Sequence, residues 1–99
     1  MNIVYSKAFI KAASKLTGKY KISLKKKIDE VKVATSVDDL TNCKKLEGFS
    51  QAYRIRIGSY RVFFILTIEN NTLYFEYLVS RGEAYNKEYL KSLTRKEKD

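Results

Sequence analysis

Histidine and proline are absent from this 99-residue chain, and cysteine occurs once, as Cys43. Without histidine, and with a lone thiol, zinc and other soft-ligand metal sites are close to excluded. Nucleophilic catalysis by a Ser-His or Cys-His pair is excluded outright. One thiol cannot close an internal disulfide, which fits a reducing cytoplasm. Cys43 reads as a small, half-buried thiol rather than a nucleophile. No proline, repeat or low-complexity linker divides the chain, so one domain over residues 1–99 is expected. The four glycines, Gly18, Gly48, Gly58 and Gly82, fall where segments change character. The opening residues Met1–Tyr5 carry no signal-peptide pattern, and no apolar run is long enough to span a bilayer. The expectation is a cytoplasmic protein with no membrane partner, no metal and no cofactor.

Negative charge is also scarce. Twenty Lys and Arg face eleven Asp and Glu, a net charge of +9. A surplus of that size on so small a chain points to nucleic acid or an acidic protein partner. Lysines alone would be explained by a solvated surface. The arginines are fewer, and four of them, Arg54, Arg56, Arg61 and Arg81, lie close together in sequence.

Apolar spacing supplies the elements. Residues Ile3–Tyr5 read as a short opening strand, and Ser6 can cap the helix after it. Phe9, Ile10, Ala13 and Leu16 share one face of that helix, which Thr17-Gly18 ends. A second helix covers roughly Tyr20 to Val33, with Leu24, Ile28 and Val31 as its buried stripe. Lys25, Lys26 and Lys27 read as its solvated face. Ser36–Asp39 form a polar break. Leu40 to Gly48 suggest a helical turn, with Leu40 and Leu46 packed inward. Strands follow at about 52–57, 60–68 and 73–80, with Asn70-Asn71 as a turn. Glu83 to Leu93 suggest a last helix, and Arg95 to Asp99 a frayed tail.

The stretch Tyr53–Phe64 is the most informative. Two alternating runs flank Gly58-Ser59, the pattern of a β-hairpin. A two-residue turn there pairs Ile57 with Tyr60 and Arg56 with Arg61. If Asn70-Asn71 is equally short, Arg61 lies beside Ser80 and Arg81 follows. One face then carries Ile55, Ile57, Tyr60, Val62, Phe64, Leu66, Phe75, Tyr77 and Val79, a continuous apolar layer for the first two helices. The other carries Arg54, Arg56, Arg61, Phe63, Ile65, Glu76, Leu78 and Ser80. That face has a cationic end and an apolar end, which the last helix or a partner segment would cover. Like charges directly opposite each other are destabilising, so arginines gathered on one face suggest a polyanion. A solvated sheet edge is the bland alternative.

Lys44-Lys45-Leu46-Glu47-Gly48, then Tyr53–Val62, then Val79-Ser80-Arg81-Gly82-Glu83-Ala84-Tyr85, together resemble the RelE/ParE family of toxin–antitoxin toxins. The resemblance covers nearly the whole chain. It implies an α+β fold: a small antiparallel sheet with two N-terminal helices packed on one face and a short C-terminal helix. RelE-like members are ribosome-dependent endoribonucleases that cut messenger RNA in the A site. ParE-like members share the fold and poison DNA gyrase instead, which is the alternative function. Both kinds are neutralised by a short antitoxin, here expected to be acidic, and operator DNA is met only through the antitoxin complex.

By that resemblance Arg61 and Arg81 would take the scissile phosphate, since guanidinium forks bind two oxygens at once and stay charged. Arg54 and Arg56 would position RNA and stabilise charge, with Lys44 and Lys45 adding to RNA binding. Tyr85 would stack on a base or join proton transfer; packing of the last helix is an equal alternative. Metal-free cleavage uses the ribose 2′-hydroxyl as nucleophile and needs a base for its proton. Some family members carry lysines where this chain has Arg54 and Arg56. An arginine does not give up its proton, so Glu83 and Glu76 are the candidate bases. Glu83 equally suits a first-turn carboxylate favoured by the helix dipole.

Overall fold

The computed structural model describes residues 1–83 and 87–98. Along the described chain run β1 (Asn2–Tyr5), α1 (Lys7–Ala13), α2 (Gly18–Val33), a 3₁₀ turn (Val37–Asp39), β2 (Cys43–Lys45), β3 (Ala52–Ile57), β4 (Tyr60–Thr67), β5 (Thr72–Ser80), a second 3₁₀ turn (Arg81–Glu83) and α3 (Lys87–Lys98). The strands form one sheet in the order β1-β5-β4-β3-β2. The expected α+β architecture is observed, with one change. β1 pairs parallel to β5, so the sheet is mixed rather than wholly antiparallel.

Local chemistry explains most boundaries. Ser6 caps α1, its Oγ accepting from the Phe9 N–H at 3.0 Å. The same hydroxyl donates to the Glu76 carbonyl at 2.6 Å. α1 ends at Ala13, before the expected Thr17-Gly18, and Ile10 faces solvent rather than the core, 55% exposed. Leu16 is nevertheless buried, brought inward by the turn that follows. In α2, Leu24 and Val31 are buried as the stripe requires. Lys25 and Lys26 are exposed as expected, but Lys27 is buried. Its ammonium donates to Glu30 Oε1 at 2.9 Å, to the Thr41 carbonyl at 2.9 Å and to Thr41 Oγ1 at 2.7 Å. Partners in that number compensate the burial of a charge. The segment 40–48 holds the short edge strand β2, not a helical turn; the 3₁₀ turn lies before it.

The β3–β4 hairpin has the expected register: Ile57 opposite Tyr60, Arg56 opposite Arg61. Gly58 sits at φ +56°, a conformation glycine adopts without steric cost. The β4–β5 connection differs twice. Pairing ends at Thr67–Thr72, so the loop is Ile68–Asn71 rather than Asn70-Asn71 alone. Asn71 takes φ +51° there. That lengthening moves every partner by two, which preserves the face. Glu76 is then an extra residue, because Phe63 pairs with Tyr77 and Phe64 with Phe75. A one-residue bulge flips every later side chain to the other face.

The sheet consequently separates two apolar clusters. On one face α1 and α2 cover Ile55, Ile57, Val62, Phe64, Leu73 and Phe75, as expected, and also Leu78, assigned by alternation to the other side. Tyr53 stacks on Phe64 in this cluster, with ring centroids 5.2 Å apart. On the second face α3 covers Phe63, Ile65, Ala52 and Leu46 through Leu93, together with Val79 and Tyr77, which the bulge has moved there. Ser80 pairs with Tyr60, away from the arginine face, and Arg61 faces Val79 instead. α3 starts later than expected and extends to Lys98, so Arg95–Lys98, expected to fray, are helical. Lys96 binds Glu76 at 3.0 Å, and the Glu97 carboxylate accepts from the Gln51 backbone N–H. No helix among the described residues is long and apolar enough to cross a membrane.

Candidate nucleic-acid interface

Among the described residues, α3 covers the second face at one end only. Going toward the Gly58-Ser59 turn, apolar positions give way to charge, because alternation places Arg54, Arg56 and Arg61 on the α3 side of the sheet. Arg54 pairs with Phe63 and with Lys44, so these two cations are cross-strand neighbours. Arg56 and Arg61 form the next row, which ends at Val79. Arg56 is exposed; Arg54 and Arg61 are partly covered. Two cationic rows therefore share one surface, as alternation requires.

Backbone bonds fix the end of this surface. The Arg61 guanidinium folds back on the turn, Nη1 donating to the Gly58 and Tyr60 carbonyls at 2.9 Å each. The Arg81 N–H donates to the Ser59 carbonyl at 2.7 Å. Arg81, exposed in its 3₁₀ turn, is thus tied to the turn that carries Arg61. A second support comes from β2. Asn42, at φ +57°, accepts from the Arg56 N–H at 3.0 Å. Asn42, Cys43, Lys44, Arg54 and Arg56 line a cleft of about 220 Å³ between β2 and β3. Asn42 was missed in the sequence; the sign of it was an asparagine, tolerant of left-handed angles, at the start of an edge strand.

Not every expected residue joins this group. Lys45 pairs with Tyr53, so it belongs to the opposite face from Lys44. Glu76 lies on the arginine side, but three residues along β5 from Val79, about 10 Å, and it is engaged by Lys96. Glu83 is closer: it is exposed, two residues after Arg81, and accepts from the Tyr89 hydroxyl at 3.5 Å. Burial, then the Glu83 charge, push the Tyr89 phenol up. Tyr85 lies outside the described residues. Burial pushes the Cys43 thiol up to about 11, despite Lys27 and Arg54 nearby, so this sulfur stays protonated at neutral pH and is no nucleophile.

Such a surface can grip a chain of phosphates. Guanidiniums offer paired donors to phosphate oxygens, and cations beside apolar groups suit single-stranded nucleic acid.

No protein-family model matches the chain. In sequence it is 29% identical over 87 residues to Toxin RelE3 of Methanocaldococcus jannaschii, covering 87% of this chain and 97% of that relative. In fold it resembles a chain of the RelB–RelE antitoxin–toxin complex from Methanococcus jannaschii, with TM-score 0.70, 27% identity, and coverage of 84% and 95% of the two chains. A mutant of E. coli toxin RelE in the free state shares the fold at TM-score 0.70 and 22% identity, over 95% of each chain.

Proposed function

We propose that this chain, which is similar to RelE toxins in sequence and in fold, acts in a toxin–antitoxin system by cutting messenger RNA in the ribosomal A site without a metal ion. The observation that carries the reading is the arginine end of the sheet, which lies beyond the apolar cluster under α3. There Arg56 and Arg61 are paired, and Arg81 is bonded to the same turn.

In the proposed reaction the ribose 2′-oxygen attacks the adjacent phosphorus. The bond from phosphorus to the 5′-oxygen breaks, leaving a 2′,3′-cyclic phosphate and a free 5′-hydroxyl. Arg61 and Arg81 hold the phosphate and stabilise the charge that builds on its oxygens. Arg54, Arg56 and Lys44 hold the flanking RNA. Glu83 takes the 2′-hydroxyl proton, being the carboxylate beside Arg81, and the leaving 5′-oxygen gains its proton from water or from Tyr85, whose other proposed role is to stack on a base. Glu76 is left out, because its carboxylate serves Lys96.

The proposed partner is a short acidic antitoxin. A net charge of +9 favours it, and the similar archaeal toxin was solved in complex with its RelB antitoxin. Operator DNA would be met through that complex.

Cleavage of messenger on programmed ribosomes tests the reading. Wild type should cut, and Arg61→Ala or Arg81→Ala should each slow cutting about 10²–10³-fold, the range for removing one preorganised donor. A silent wild type, or two variants that cut normally, overturns it. Intact messenger with an induced DNA-damage response would point to gyrase.

A further inference from the structure

We propose that Tyr20, on α2 and on the opposite side of the sheet from the arginines, is a positioning residue for Arg61 and Arg81. Its catalytic consequence rests on the cleavage reaction proposed above; its structural part does not. Both arginines take their place from the Gly58-Ser59 turn, Arg61 through its guanidinium and Arg81 through its backbone N–H. A two-residue turn at the exposed end of a hairpin is intrinsically easy to move. Something must hold it, and on the helix side that contact is Tyr20.

The Tyr20 ring meets Tyr60 edge to face, with centroids 5.0 Å apart and planes at 73°. Its hydroxyl reaches Ser59 Oγ at 3.5 Å. Its Cε1 lies so close beneath Gly58 that an added Cβ there would stand 3.2 Å away. The ring therefore touches the turn along its length, from Gly58 to Tyr60. The Lys19 ammonium lies 5.4 Å from the centroid of the same ring. Helix α2 is itself anchored in the main core by Leu24 and Val31, so the ring braces the turn from a rigid element. Phosphate-gripping groups displaced by an ångström can lose a hundredfold in rate. A brace on their shared anchor should therefore act on the chemical step and leave substrate affinity alone.

The test compares Tyr20→Leu, which keeps apolar bulk without the ring, with Tyr20→Phe, which keeps the ring. On programmed ribosomes Tyr20→Leu should lower kcat about tenfold with KM within about twofold, and Tyr20→Phe should restore wild-type kcat. In the free protein, hydrogen exchange at the Arg81 amide should quicken at least about tenfold in Tyr20→Leu, while the Val62 amide keeps its protection. If Tyr20→Leu does not fold, Tyr20→Trp displaces the turn in the other sense and should show the same two effects. Unchanged kcat together with unchanged Arg81 exchange overturns the inference. If wild type does not cut at all, the proposed reaction fails, and Arg81 exchange alone decides the role of Tyr20.

Discussion

One sheet presents two faces that are built on opposite terms. The face under α1 and α2 is apolar over nearly its whole area. Val31, Ile55, Val62, Phe64, Leu73 and Phe75 are each fully buried there, and the Tyr5, Phe9 and Phe75 rings meet at 5.4–5.9 Å. The face under α3 is apolar for half its length and cationic for the rest. Its cluster is smaller, and Phe63 and Leu93 are its fully buried large side chains. The first face supplies the stability that lets the second keep paired arginines, an arrangement that works against folding.

Four substitutions would break or sharpen this contrast, taken from the largest expected effect to the smallest. Phe64→Ala, at the centre of the first cluster, should cost about 3–5 kcal/mol in denaturant unfolding. Leu93→Ala, in the second cluster, should cost about 2–3 kcal/mol, the low end for Leu→Ala, because a single helix can settle into the gap. If the two losses prove equal, the asymmetry of the faces is wrong.

Lys27→Met should cost about 1–2 kcal/mol, since the Thr41 carbonyl and Glu30 lose their shared donor. The same variant should change the acid limb of stability. Burial raises the Glu30 carboxyl, but the Thr41 N–H, Lys27 and the Thr41 hydroxyl together outweigh it and hold Glu30 below its ordinary value of 4.5. Its stabilising contribution is thus complete above that value and drains away as pH falls through the lowered one. Removing Lys27 should flatten that decline in a pH series of unfolding curves.

Arg56→Ala should raise stability by about 0.2–1 kcal/mol, by relieving its pairing with Arg61. A thermal melt at low salt reads this most clearly, because screening weakens exposed charge pairs. A loss of stability would show that Arg56 serves the fold rather than the surface.

The hairpin was legible because turn chemistry and alternation agree from Ala52 to Thr67, and its register followed from Gly58-Ser59 alone. The face of Tyr77, Leu78 and Val79 was not legible. A bulge leaves no mark in residue type when all three side chains are apolar, and Glu76 fits either a strand or a bulge. The Glu76 carbonyl finds its compensating donor in Ser6, seventy residues away, and no local pattern encodes that. Lys27 was misplaced for a similar reason. In a run of three lysines nothing distinguishes the one whose partners, Thr41 and Glu30, close over it. The arginine surface survived these errors because Arg54, Arg56 and Arg61 all precede the bulge. Tyr20 was legible only as the approximate start of the second helix, because what lies above it depends on where the hairpin turn lands.

The parallel pairing of β1 with β5 ties residues 2–5 to residues 72–75. A nascent chain that has emerged only to the end of β4 holds helices and a hairpin, yet no strand on which its own beginning can dock. Closure waits for β5, with Arg81 following it directly. Until then Phe9 lacks its ring partner Phe75, and the half-made protein exposes apolar surface to chaperones and proteases. Assembly of the fold and of its arginine end is therefore a late and nearly simultaneous event.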